Sequence, residues 1–112
     1  MSGNGEKYDD KKLDLTLVPP EMEEMVADVM MFGAAKYARN NWKIVEDADR
    51  RYFAAMERHI KAFKRGEDTD HESGLHHLAH AATCMAFLLH FLADGPIGAW
   101  RAVETVKEKL VD

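Results

Sequence analysis

Residues 73–94, SGLHHLAHAATCMAFLLHFLAD, decide the fold. Leu75, Leu78, Ala82, Met85, Leu89 and Leu92 recur at helical intervals, which puts their side chains on one side of an α-helix. The spacing predicts a helix that begins at Ser73 and stops at Asp94-Gly95-Pro96. Cys84, Phe87, Leu88 and Phe91 lie off that stripe. The segment is therefore apolar nearly all round and needs cover on every side. One short chain supplies little cover, so a homo-oligomer, dimer or tetramer, is expected to form through that flank.

Working outward, Gly66 ends a second helix that starts from Asp49 as N-cap and runs to about Arg65. Its expected apolar stripe is Phe53, Met56, Ile60 and Phe63. A first helix is expected from Pro20 to about Arg39. Pro20 suits a first turn, and Glu21, Glu23 and Glu24 favour the positive end of the helix dipole. Met22, Val26, Val29 and Gly33 give its inner face, with Gly33 as a point of close packing. Residues 1–18 read as a polar arm with a possible short strand at Leu13 to Leu17. A last amphipathic helix carries Trp100, Val103 and Leu110. The fold expected is all-α: a single domain over residues 19–112, a small bundle of three to four helices.

The chain has 112 residues, is 46% hydrophobic and 31% charged, and contains one cysteine, Cys84. One cysteine excludes an internal disulfide and suits a reducing compartment. No secretory leader pattern or membrane-length apolar run is seen, so a cytoplasmic protein without membrane contact is expected. A net charge of −5 argues against a surface for a nucleic-acid polymer. The charge is uneven: a basic segment from Lys36 to Arg65 abuts the acids Glu67, Asp68, Asp70 and Glu72. That arrangement can hold a phosphate-bearing small molecule with a cation, or can be a solvated helix and loop.

The residues able to carry chemistry cluster between His59 and His80. His77 and His80 are three apart and share a helix face that continues into Cys84 and Leu88. His59 lies on the face of the preceding helix with Tyr52, Ala55 and Ala62. Shielded imidazoles need partners: a metal, a phosphate, or the carboxylates of Asp70 and Glu72 just upstream. Those two acids can equally cap the third helix. Carboxylates without a cysteine cluster favour Mg²⁺ or Mn²⁺ over structural zinc, giving Asp70, Glu72, His77 and His80 as expected ligands. His76 and His90 read as surface or packing residues. Glu21 and Glu24 form an ExxE pair whose place in the first turn the dipole already explains. In a second group, Lys36 can reach a phosphate, Asn41 a base edge, and Trp42 can stack on a base or fill the core.

Several blocks, in order, resemble a known family: KYDDKKLDL (7–15), LVPPE (17–21), FGAAKYARNNW (32–42), RRYFAAMERHIKAF (50–63) and GEDTDHESGLHHLAH (66–80). Together they resemble the phage and bacterial dATP/dGTP diphosphohydrolases, related to the MazG-like all-helical pyrophosphohydrolases. The resemblance implies an oligomeric enzyme that hydrolyses a purine (deoxy)nucleoside triphosphate to monophosphate and pyrophosphate with Mg²⁺ or Mn²⁺. It implies a site drawn from Lys36, Asn41, Trp42, Arg58, His59, Glu67, Asp70, Glu72, His77 and His80. Phosphate binding would fall to Lys36, Arg58 or Lys61, and catalysis to His59, Glu67, Asp70 and Glu72. If a phage encodes it, the host cytoplasm is the expected location. MazG-type enzymes carry a second acidic motif, ExxD, where this chain reads His77-Leu78-Ala79-His80. An HD-like dNTP phosphohydrolase is an alternative, although the chain has no His-Asp dipeptide. A non-catalytic helical nucleotide-binding or oligomerisation module is another.

Overall fold

The computed structural model describes residues 12–94. They form three α-helices, α1 (Pro20–Lys36), α2 (Ala48–Lys64) and α3 (His77–Asp94), with short 3-10 turns at Leu15–Leu17 and Asn41–Ile44. The described residues contain no strand, only an isolated bridge between Thr69 and His76. The all-α reading holds. The suggested strand at Leu13 to Leu17 is instead a 3-10 turn, because Asp14 accepts the Thr16 N–H and winds the chain locally. The amphipathic segment after Asp94 lies outside the described residues.

The helix ends follow local chemistry. Pro20 starts α1, as its missing N–H predicts. The helix stops at Lys36, short of the expected Arg39, and Asn40 then turns left-handed at φ 68°. Asp47 rather than Asp49 precedes α2, also left-handed. At the other end, the Gly66 N–H bonds the Phe63 carbonyl and the Glu67 N–H bonds that of Ala62. This is a Schellman stop, and Gly66 supplies the φ of 98° that it requires. Helix α3 begins at His77, four residues later than expected. Asp70 N–H bonds Leu75 O and His77 N–H bonds Asp68 O, so residues 68–77 close on themselves first. His76 then caps α3, its Nδ1 accepting the Leu78 N–H.

Helix α3 packs on both α1 and α2. The core of the α2/α3 seam is Met56, Ala81 and Cys84, with Tyr52, Ala55 and Leu88 against it. The expected stripes are rotated. On α2, Met56 is buried, but Phe53 is 53% exposed and Ile60 and Phe63 are more than one-third exposed. On α3, Leu78, Met85, Leu89 and Leu92 all face out, Leu89 at 55%. The seam instead sets Ala55 and Met56 of α2 against Ala81 and Cys84 of α3, and Ala62 is also buried, so small residues take up much of the interior while bulky ones face outward. The flank expected to hold an oligomer is instead partly covered within the chain: Cys84 is buried and Phe87, Leu88 and Phe91 are half-buried. Cys84 and Leu88 are in the core, and Phe87 and Phe91 pack on Trp42 and Tyr52. Gly33 does not mark a close approach, since a Cβ built there meets nothing within 4 Å. In α1, Val29 is buried and Val26 half-buried, while Met22 is exposed.

Candidate metal centre

The antiparallel course of α2 and α3 brings His59 to the first turn of α3. His59 Nδ1 lies 2.8 Å from His77 Nδ1. The His59 ring stacks on His80 with centroids 4.6 Å apart and planes 11° from parallel. Asp70 completes the group: one donor atom each from His59, Asp70 and His77 lie within 4.8 Å of one another. Two imidazole lone pairs cannot face each other at this distance without repulsion. One nitrogen must carry a proton, or a cation must stand between them. Cis ligands about 2.1 Å from one divalent ion stand about 3 Å apart, so the residues fit a metal.

Asp70 serves both the loop and the cluster. Its Oδ1 accepts the backbone N–H groups of Glu72 and Ser73 at 2.9 and 3.0 Å. Burial would raise its pKa, but these two bonds and the nearby histidines hold it below the ordinary carboxylate value. Burial, reinforced by His80 and His77, pushes His59 down to about 4, so it is neutral near pH 7. Burial likewise lowers His80. Ser73, which residue pattern alone did not flag, holds His80: its Oγ lies 2.6 Å from Nε2. Its place between the acids and the histidines of ESGLHHLAH was the available signal.

The cluster borders a groove of about 1190 Å³ between α1, the 3-10 turn at Asn41–Ile44, α2 and α3. Lys36, Asn41, Trp42, Arg58, His59 and His80 are among its lining residues. Lys36 Nζ holds Glu72 Oε2 at 2.8 Å, and that bond raises the lysine pKa. Arg58 makes no ion pair among the described residues. Glu72 thus lines the groove paired with Lys36 rather than joining the three-donor group. Glu67 is exposed beside Arg65, and Lys61 is exposed and outside the groove lining. The Trp42 ring stacks on Phe87 with centroids 4.3 Å apart, and its carbonyl accepts the Tyr52 hydroxyl at 2.9 Å. His90 meets the Trp42 ring edge-on. Glu21 and Glu24 sit near the start of α1, about 22 and 18 Å along the helix from Lys36 at about 1.5 Å per residue, and do not join the cluster.

These features define a class: a small helical domain with a two-histidine, one-carboxylate centre beside a groove lined by cations. A family model described as dATP/dGTP diphosphohydrolase, N-terminal, matches residues 2–103, and the chain belongs to that family. It is 38% identical over 92 residues to a protein of Salmonella phage PMBT28 named dATP/dGTP diphosphohydrolase. That match covers 82% of this chain but 31% of the relative, so the chain spans under a third of the relative's length. No solved structure matches the chain.

Proposed function

We propose that the chain carries a metal-dependent hydrolase site that cleaves a purine deoxynucleoside triphosphate to monophosphate and pyrophosphate. The observation that carries this reading is the pair of Nδ1 atoms at 2.8 Å beside Asp70, at the edge of a groove holding Arg58 and Lys36. His59, His77 and Asp70 would hold the ion. When bound, it would polarise the phosphates and acidify the attacking water. Two imidazoles and one carboxylate suit Mn²⁺ better than Mg²⁺. Arg58 and Lys36 would bind phosphate oxygens, and Asn41 a base edge. Glu72, released as Lys36 turns to phosphate, would take the water proton. The water oxygen attacks the α-phosphorus and the α–β bridging bond breaks, with pyrophosphate leaving. The cytoplasmic nucleotide pool, of the host if a phage encodes the chain, would supply the substrate. The outward Leu78, Met85, Leu89 and Leu92 face would hold a second copy.

The test is product analysis with each dNTP and NTP in Mg²⁺ or Mn²⁺. Monophosphate with pyrophosphate supports the proposal. Free nucleoside with triphosphate supports the HD-like reading, which the gathering of two histidines and an aspartate favours. No turnover leaves a binding module.

A further inference from the structure

Ser73 touches both halves of the site. Its backbone N–H reaches Asp70 Oδ1 at 3.0 Å, and its Oγ accepts the Leu75 N–H at 3.1 Å and lies 2.6 Å from His80 Nε2. A hydroxyl has one hydrogen to donate. With the Leu75 N–H already aimed at Oγ, His80 Nε2 is the acceptor in reach for that hydrogen among the described residues. If the imidazole donated instead, the hydroxyl hydrogen would have no protein acceptor among the described residues. An accepting Nε2 places the ring proton of neutral His80 on Nδ1. Stacking on His59 fixes the ring plane. His80 lines the groove, whereas Ser73, Asp70 and His77 do not, and His80 Nδ1 makes no hydrogen bond among the described residues.

We propose that Ser73 is a positioning residue: by holding Nε2 it keeps His80 out of the metal's ligand set and makes its Nδ1–H a donor to a phosphate oxygen in the groove. This rests on the nucleotide-hydrolase reading above. It makes His59 and His77 the ligands and His80 a substrate donor, where the sequence reading pairs His77 with His80 as ligands and assigns His59 to catalysis.

Long-range ¹H–¹⁵N spectra of histidine-labelled protein read the tautomer directly. The proton of His80 is expected on Nδ1 in the wild type and in Ser73→Thr, with that preference lost in Ser73→Ala. Adding a non-hydrolysable dGTP analogue is expected to move the Nδ1 signal. Mn²⁺ affinity without nucleotide, read by electron paramagnetic resonance, is expected to stay within about threefold in Ser73→Ala and His80→Asn, where loss of a true ligand would cost tenfold or more. Over the same set, kcat/KM falls about tenfold in Ser73→Ala and recovers in Ser73→Thr. A wild-type proton on Nε2, an unmoved Nδ1 signal, or a tenfold loss of Mn²⁺ affinity in His80→Asn overturns the proposal. A wild type that binds no Mn²⁺ overturns the metal reading instead, and the tautomer and analogue spectra still decide the role of Ser73.

Discussion

The two ends of the α2/α3 seam are built from the same helices and do opposite things. At one end Tyr52 of α2 meets Phe87 and Phe91 of α3, and Trp42 closes over them. Two helical turns along α2, His59 meets His77 and His80 beside Asp70. Met56, Ala81 and Cys84 fill the space between. The aromatic end is held by dispersion and ring stacking. The histidine end is held by polar contacts, His59 Nδ1 against His77 Nδ1 and His80 Nε2 against Ser73 Oγ. The contrast shows how a small domain can anchor a reactive cluster: the packing that orders it lies a few residues away on the same two helices, so neither task compromises the other.

The largest effect expected is on the aromatic end. Trp42→Ala should lower the unfolding free energy by about 3 kcal/mol, measured by urea denaturation, because the ring is half-buried and stacked on Phe87. Its folded fraction should bind Mn²⁺ as the wild type does. Loss of Mn²⁺ binding without unfolding would show that the two ends are one unit. Next, Asp70→Asn should cut turnover about 100-fold or more while helical circular dichroism is kept. The Asn oxygen can still accept the Glu72 and Ser73 N–H bonds that shape the loop. Wild-type turnover would remove Asp70 from the site.

Below neutral pH the dependence expected is that of the histidine end. His59 has a folded pKa of about 4, below its unfolded value of about 6.5, so the unfolded chain binds more protons between them. Stability is therefore full above about pH 6.5 and falls as the pH drops towards 4. The melting temperature should drop by a few degrees between pH 7 and 5, and by less in His59→Gln. An equal drop in both would assign the effect elsewhere. The smallest effect is expected on the outside of α3. Leu89→Glu should change monomer stability by no more than about 0.5 kcal/mol, yet return an assembled species to a light-scattering mass near 12.7 kDa.

The three helices of the described residues, the Pro20 start, the Gly66 stop and the meeting of His59 with His77 and His80 were legible from the sequence, because local periodicity and helix-ending residues fix them. The direction each helix faces was not. Leucine and phenylalanine spacing selected the wrong sides of α2 and α3, since alanines at the seam carry little hydropathic weight yet set how closely the helices approach. Trp42 could equally have stacked on a base or on the core. Its contact with Phe87 depends on the Asn41–Ile44 turn, whose geometry no periodicity announces. The ion pair of Lys36 with Glu72 and the bond of Ser73 to His80 join residues through a loop that folds back on itself, which linear spacing cannot show.

Cys84 gives the seam a built-in reporter. It is buried between Met56 and Ala81, and burial pushes its thiol up to about 11. A thiol so placed reacts with an alkylating reagent chiefly when the helices part. With one cysteine in the chain, a single modification event per molecule would time the opening of the α2/α3 seam. Slower labelling in the presence of Mn²⁺ or nucleotide would then measure, in seconds, how firmly an occupied histidine end clamps the two helices together.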